Sequence, residues 1–445
     1  MSASRGRPQH FGWFLARGFG PHGWGHPYLD WDYDWTRPGL YQQSARELEQ
    51  AGFDFVLIED APSLGSPETI DLRVRHAFGG PKHDPLMLAP YLFQATEHLG
   101  VIPTVNPAAT LPYTAARQFA TLQHLSAGRL GLNVVTDTGG ARHFGDAPAL
   151  GHDAAYDRAE EWLASLRELW RSWGEGALVR DAASGVYADG TQLDATVHRG
   201  EYYAFDGPLN AIPFDEVGLG EPVIASPGGS GRGLAFAGAN SDIQLALAPL
   251  TEKSVREYRA RIHTAAVAAG RRPEDIRIMF AIQPLIVSSA EEADRVVAAS
   301  ASPTDAVLRQ IAQRQSSDLE TDLTSLDLDA PLPADLFAEH VSQGSLRRLV
   351  GDRDPATTPL RAHLGALARL GRISDRTGFV GTAEEFADLV EELGTWGNDG
   401  VLLWGDLNPV TVHRTLDELV PILRRRGILR REYTGEGLRA DLRAF

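Results

Sequence analysis

Cysteine is absent from all 445 residues, which removes disulfides, cysteine-ligated iron–sulfur clusters, thiolate zinc sites and cysteine nucleophiles together. Any chemistry must come from oxygen and nitrogen groups or from a borrowed cofactor. Basic charge is also short. The chain has 42 Lys and Arg against 59 Asp and Glu, a formal charge of −17 that argues against a nucleic acid or an anionic membrane as partner. A bound phosphate would need a local site instead. Long apolar runs are missing too: no stretch approaches ~18 uninterrupted apolar residues, and no apolar h-region follows the arginines of Met1 to Gln9. The chain therefore reads as cytoplasmic.

What is present is an ordinary globular composition, 43% hydrophobic and 23% charged, with glycine and proline spread along the chain. Short β-rich runs alternate with longer amphipathic ones. The strand candidates are Phe11–Leu15, Phe55–Glu59, Val101–Val105, Leu130–Val135, Pro222–Ala225, Ile243–Leu247, Ile276–Ile286 and Val401–Trp404. Between them lie helix-like segments with apolar residues near 3–4 spacing, among them Leu40–Ala51, Pro85–His98, Thr114–Leu125, Tyr156–Trp173, Glu252–Ala269, Glu291–Ala299 and Ala383–Leu393. An alternating βαβα order of this kind predicts an α/β fold, a parallel (β/α)8 TIM barrel.

Residues 1–445 read as one such domain, interrupted near 18–38, 174–220 and 302–376. In a barrel, long insertions usually leave from the C-terminal ends of strands, where substrates bind. The last insertion has helix-like pieces at Leu336–Val350 and Pro359–Leu370, which predicts an α-helical cover rather than a separate domain. The final Pro421–Phe445, rich in arginine, reads either as an arm packing on a neighbouring subunit or as a frayed tail.

Candidate chemistry gathers at strand ends. Phe55-Val-Leu-Ile-Glu-Asp60 puts Glu59 and Asp60 where a barrel strand opens, although a helix N-cap or turn would use the same residues. Thr104 and Asn133 are poor company for valine in an interior strand unless their polar groups are paired, because an unpaired buried polar group costs roughly 1–3 kcal/mol. They should face a ligand or each other. Pro227-Gly-Gly-Ser-Gly-Arg-Gly233 lies between a strand and a helix start, the setting in which backbone N–H groups and a Ser hydroxyl hold phosphate; an ordinary flexible turn reads the same way. It is neither a Walker loop, a nucleophile elbow nor a G-x-G-x-x-G fingerprint. Gly151-His-Asp-Ala-Ala-Tyr-Asp-Arg158 brings His152, Tyr156 and Arg158 to the start of a long helix as a second anion- or ring-binding edge, with Asp153 as a possible N-cap. His22 and His26 are too glycine-rich in setting for a helical metal motif, and no metal site is expected.

Read together, these motifs resemble the nitrilotriacetate and dibenzothiophene-sulfone monooxygenase branch of the luciferase-like flavoproteins. The resemblance rests on Leu40-Tyr-Gln-Gln43, Phe55-Val-Leu-Ile-Glu-Asp60, Glu97-His-Leu-Gly100, the run from Arg117 to Arg129, Asn133-Val-Val-Thr136, Phe144-Gly145, His152-Asp153 and Tyr156-Asp-Arg-Ala159. Glu221-Pro-Val-Ile224, Gly378-Phe-Val-Gly-Thr382, Asn398-Asp-Gly400, Arg426-Gly427, Tyr433-Thr-Gly435 and Leu438-Arg439 extend it over nearly the whole chain.

Membership implies a barrel of the bacterial-luciferase type, reduced FMN supplied by a separate NAD(P)H flavin reductase, O2 as co-substrate, and a homodimer or homotetramer. By the same resemblance, Asp60, Thr104, Asn133, His152, Tyr156 and Ser230 look like flavin-contact positions, with Gly228 and Gly231 in the phosphate turn. Thr104 and Asn133 would line the oxygen pocket as the catalytic pair. The phosphate turn and Gly139-Gly-Ala-Arg142 depart from the relatives' patterns, so the substrate cannot be copied from them. Trp24, Trp31 and Trp35 would suit a flat aromatic substrate, or would cover the barrel bottom or a dimer contact. One branch of the family, the riboflavin lyases, gives lumichrome, which makes riboflavin a leading candidate beside sulfones and aminopolycarboxylates. From other classes, a non-catalytic flavin- or deazaflavin-binding barrel and a deazaflavin-dependent dehydrogenase remain open.

Overall fold

The computed structural model describes residues 7–16, 34–64, 67, 70–75, 77, 80–136, 141–144, 150–214, 217–337, 343–373, 378–405, 407 and 409–445. Every predicted barrel strand forms, with ends shifted by a residue or two: β1 (His10–Leu15), β2 (Phe55–Ile58), β3 (Gly100–Val105), β4 (Gly131–Val134), β5 (Val223–Pro227), β6 (Ile243–Ala246), β7 (Arg277–Ile286) and β8 (Gly400–Gly405). Each pairs in parallel with the next, and β8 pairs with β1 from His10↔Gly400 to Leu15↔Gly405, which closes the eight-stranded barrel. The upper half of β7 extends beyond the ring and pairs with a further strand, Gly378–Gly381.

Alternation along these strands divides the core. Phe55, Leu57, Ile102, Ala225, Leu245, Ala281 and Leu402 point inward and form one cluster, while Phe11, Val56, Val101, Leu132, Ile224 and Val401 point outward against the helices. The helices begin on local signals. Asp84 accepts from the N–H groups of Leu86 and Met87 to start Pro85–Ala95, and Thr382 with Glu385 forms a capping box ahead of Ala383–Thr395.

The C-terminal segment is neither a frayed tail nor an arm reaching for a neighbour. Leu438 and Leu442 are buried in the same cluster as the barrel interior, so the helix Leu438–Arg443 plugs the N-terminal end of the barrel. A Cβ on Gly100 would sit 2.7 Å from Leu438 Cδ1, so this strand start admits glycine alone without displacing the plug. The tail is held electrostatically too: Arg430 donates to Asp54 and, at 2.9 Å, to Asp441, all three groups being buried. Burial pushes the Asp54 carboxyl up, but His10 and Arg430 more than offset this and hold it below the usual carboxylate range. The scattered arginines and glycines from Arg430 to Phe445 carry no periodic signal for such packing, which is why the sequence reads as a loose end.

The insertion at 174–220 does not leave from a strand end as expected. It follows the helix His152–Trp170 and forms two small antiparallel pairs, Leu178–Asp181 with Val186–Ala188 and Val197–Arg199 with Ala204–Asp206. The insertion at 302–376 follows the helix Ala290–Ser300, which comes after β7. Its helices Asp305–Leu319, Gln343–Val350 and Leu360–Ala368 share an apolar cluster of their own, including Leu308, Leu319, Leu349 and Leu364. Arg73, in the short helix Ile70–Val74 after β2, pairs with Glu320 of this cover at 2.6 Å. The cover thus reaches from the segment after β7 to the helix beyond β2. No helix among the described residues is long and apolar enough to cross a membrane.

Candidate functional site

The C-terminal ends of β2 to β5 bring the sequence-predicted residues to one rim. Thr104 and Asn133 are register partners on β3 and β4, and both are buried. Leu132 and Val134 belong to the outer core, so Asn133 between them points into the barrel. The two residues do face each other, Asn133 Nδ2 donating to Thr104 Oγ1 at 2.9 Å. Asn133 Oδ1 is buried with no partner. A ligand N–H or O–H reaching it would remove a cost of about 1–3 kcal/mol.

Asp60 lies just beyond β2, in a stretch where no helix begins, so it is not an N-cap. Burial is the main cause that lifts its carboxyl to about 6; Lys82 pulls it down, while Glu59 and Asp84 push it up. Lys82 itself contacts Glu59 at 2.6 Å. Nearby, Ser63 Oγ and His143 Nε2 share a hydrogen bond of 3.0 Å that ties the loop after β2 to the one after β4.

The glycine-rich turn joins β5 to the helix Gly231–Asn240. Ser230 is its N-cap, accepting from Gly233 N at 3.0 Å, which leaves the hydroxyl hydrogen free to donate outward. Gly228 has a φ of +135°, a conformation that L side chains rarely adopt. Its carbonyl is fixed from behind by Tyr258 Oη and Gln244 Nε2, each at 3.1 Å. Burial raises Tyr258 to about 12, which keeps that hydroxyl protonated as the donor. On the other side, a Cβ at Gly229 or Gly231 would meet nothing within 4 Å. The turn is therefore rigid at its base and open at Gly229 and Gly231, with the N–H groups of Gly231 and Arg232 free of any intrahelical partner. These features fit the phosphate of FMN, and the unpartnered Asn133 Oδ1 fits a donor on its ring.

Tyr156 stands over the same turn, since a Cβ on Gly233 would lie 2.8 Å from its hydroxyl. His152 packs edge-on against Tyr156 with ring centroids 5.3 Å apart, and its Nδ1 is engaged by Asp153 at 2.7 Å. Gly151, rather than Asp153, is the N-cap of this helix. Arg158 is buried, whereas His152 is exposed. Arg232 is held by Asp157 and Glu160 at 2.7 and 2.8 Å, so its charge is already matched.

Sequence reasoning missed the supporting residues Gln244, Tyr258, Lys82, Ser63 and His143. Tyr258 and Gln244 sit in a predicted helix and a predicted strand, but nothing local marks their contact with Gly228. Trp35 is half-buried, packing against the outer core and the ring of His83, 5.2 Å away. His22, His26, Trp24, Trp31, Gly139 and Gly140 lie outside the described residues, and among the described residues no cluster of three metal-ligating side chains occurs. A cleft of about 780 Å³ lined by Arg167, Trp170, Trp173 and Phe214 lies at the far end of the helix from His152. It has none of the polar pairs of the strand-end rim, and Arg167 there is engaged by Glu221 and Asn240.

The sequence and fold are similar to known proteins over their full length. The luciferase-like monooxygenase profile matches residues 10–400. Dibenzothiophene-sulfone monooxygenase of Rhodococcus erythropolis (strain XP) is 32% identical, covering 98% of this chain and 96% of its own. Nitrilotriacetate monooxygenase component A of Aminobacter aminovorans is 29% identical, covering 93% of each chain. A crystal structure of riboflavin lyase with modified FMN and riboflavin superposes with a TM-score of 0.78 at 28% identity, covering 99% of this chain and 96% of that one. The chain belongs to the luciferase-like monooxygenase family.

Proposed function

We propose that the protein is the oxygenating component of a two-component system that takes reduced FMN from a separate NAD(P)H flavin reductase and oxidises a planar heterocyclic small molecule. The observation that carries this reading is the buried Asn133–Thr104 pair with its unpartnered Asn133 Oδ1, set on the same rim as the open glycine turn. Bound reduced FMN would supply two electrons and two hydrogens, so that one atom of O2 enters the substrate and the other leaves as water. Asn133 and Thr104 would orient and donate hydrogen bonds where negative charge develops on oxygen. Ser230, Gly228 and Gly231 would hold the phosphate, and Tyr156 with His152 would close the ligand's edge. Asp60, with a carboxyl near 6, can hold or release a proton at this rim close to neutral pH.

Riboflavin, cleaved to lumichrome, is the leading substrate candidate, supported by the 28% identity to riboflavin lyase over nearly the whole chain. A sulfone is the second reading, supported by the 32% identity to dibenzothiophene-sulfone monooxygenase. The test mixes purified protein with FMN, a generic flavin reductase, NADH and air, and follows riboflavin and a heterocycle panel by mass spectrometry. Oxygen-dependent lumichrome formation supports the lyase, and conversion of another panel member keeps the monooxygenase with a different substrate. Tight FMN binding without any turnover would instead favour a non-catalytic flavin-binding barrel.

A further inference from the structure

The open end of the barrel has two unlike sides. Alternation carries the inward direction of Leu57, Ile102 and Leu402 on to Glu59, Thr104 and Trp404, one layer nearer the mouth. Glu59 N still donates to Leu15 O at 3.1 Å, so the ladder, and with it the alternation, holds to that residue. The arc from β2 to β4 thus presents Glu59, Thr104 and Asn133. The arc through β8 and β1 presents Trp404 and Phe14.

Phe14 and Trp404 are register partners on adjacent strands, their rings 5.9 Å apart and tilted by 49°. The layer below them is sealed, with Phe55 at 0% and Leu402 at 2% exposure, whereas both of these rings keep open surface. In a closed ring of eight, β8 lies opposite β4 and β1 opposite β5. The aromatic pair therefore faces Asn133 and the glycine turn across the mouth.

Charge narrows what can bind between them. Glu59, Asp60 and Asp84 share the β2 rim with Lys82, which is already paired to Glu59. Counted over the described residues, a polycarboxylate entering here would meet surplus negative charge in a partly desolvated site. An uncharged flat ring would meet two apolar faces.

We propose that Phe14 and Trp404 form the stacking wall of the substrate site, and that the substrate is an uncharged planar aromatic molecule rather than a polycarboxylate. This rests on the flavin-dependent reading above. The substrate's flat face lies on one of the two rings and meets the other at an incline, and the atom that receives oxygen points toward Asn133 and Thr104.

Calorimetry on the full-length protein, with and without FMN, would measure binding of dibenzothiophene sulfone, riboflavin and nitrilotriacetate, and fluorescence quenching would measure FMN affinity separately. The wall predicts binding of at least one planar probe and none of nitrilotriacetate. Phe14→Leu and Trp404→Leu should each weaken the planar probe about tenfold, while Trp404→Phe restores most of the loss. Binding of nitrilotriacetate at comparable strength, planar binding that ignores both leucine variants, or no planar binding at all would overturn the proposal. Loss of FMN binding alone would overturn the flavin reading and leave the probe comparison standing.

Discussion

Asn133 donates to Thr104 across two neighbouring strands at 2.9 Å, and this bond leaves the second polar atom of the Asn133 side chain buried and unpartnered. Replacing Asn133 by Leu removes both the donor and the free acceptor at similar volume. Oxygen transfer should fall by about 100-fold or more, while FMN affinity, if the β5 turn carries most of it as proposed, changes little. Product analysis beside fluorescence quenching checks this, and unchanged turnover would refute the role.

The glycine turn offers a control built into its own geometry. Cβ atoms at Gly229 and Gly231 would enter open space, so Gly229→Ala and Gly231→Ala should leave the melting temperature unchanged. If phosphate sits above the turn, each methyl group should weaken FMN about tenfold. Gly233→Ala, whose Cβ would press Tyr156 Oη at 2.8 Å and Ser230 Oγ at 3.1 Å, should lower stability as well. Equal FMN affinity in the first two variants would move the phosphate elsewhere.

Asp60 gives a pH signature. Its folded carboxyl titrates near 6, above the ordinary 3.8, mainly because burial disfavours the charge. The stability owed to the neutral form is complete below 3.8 and is lost as pH climbs through about 6. Asp60→Asn, which mimics the neutral acid, should therefore raise the melting temperature at pH 8 and leave it unchanged at pH 3.5. Thermal scans across that range decide it, and a gain that is the same at both ends would contradict burial as the cause.

Arg430 and Leu438 test the plug. Arg430→Met would leave Asp54 and Asp441 buried without their cation, a loss of about 3–5 kcal/mol. Leu438→Ala would open a hole inside the barrel and cost about 2–5 kcal/mol. Equilibrium urea unfolding measures both, and a loss under ~1 kcal/mol in each would mean that the tail does not hold the barrel closed.

The eight strands were legible because each is a short apolar run bounded by turn residues, and because helix and strand periods alternate along the chain; that information is local. Zero cysteine, the glycine turn before a helix and the uneasy polar residues Thr104 and Asn133 were legible for the same reason. Which polar groups meet was not. Tyr258 and Gln244 reach Gly228 from other elements, Lys82 finds Glu59 from a loop, and Arg430 finds Asp54 from the far end of the chain. Phe14 becomes a partner of Trp404 only because the last strand closes on the first. Periodicity says which face of a strand is apolar, but closure of the barrel decides which strand ends stand beside or opposite one another. A tail with no periodic pattern is placed by the hole it fills, and the shape of that hole exists only once the barrel has formed.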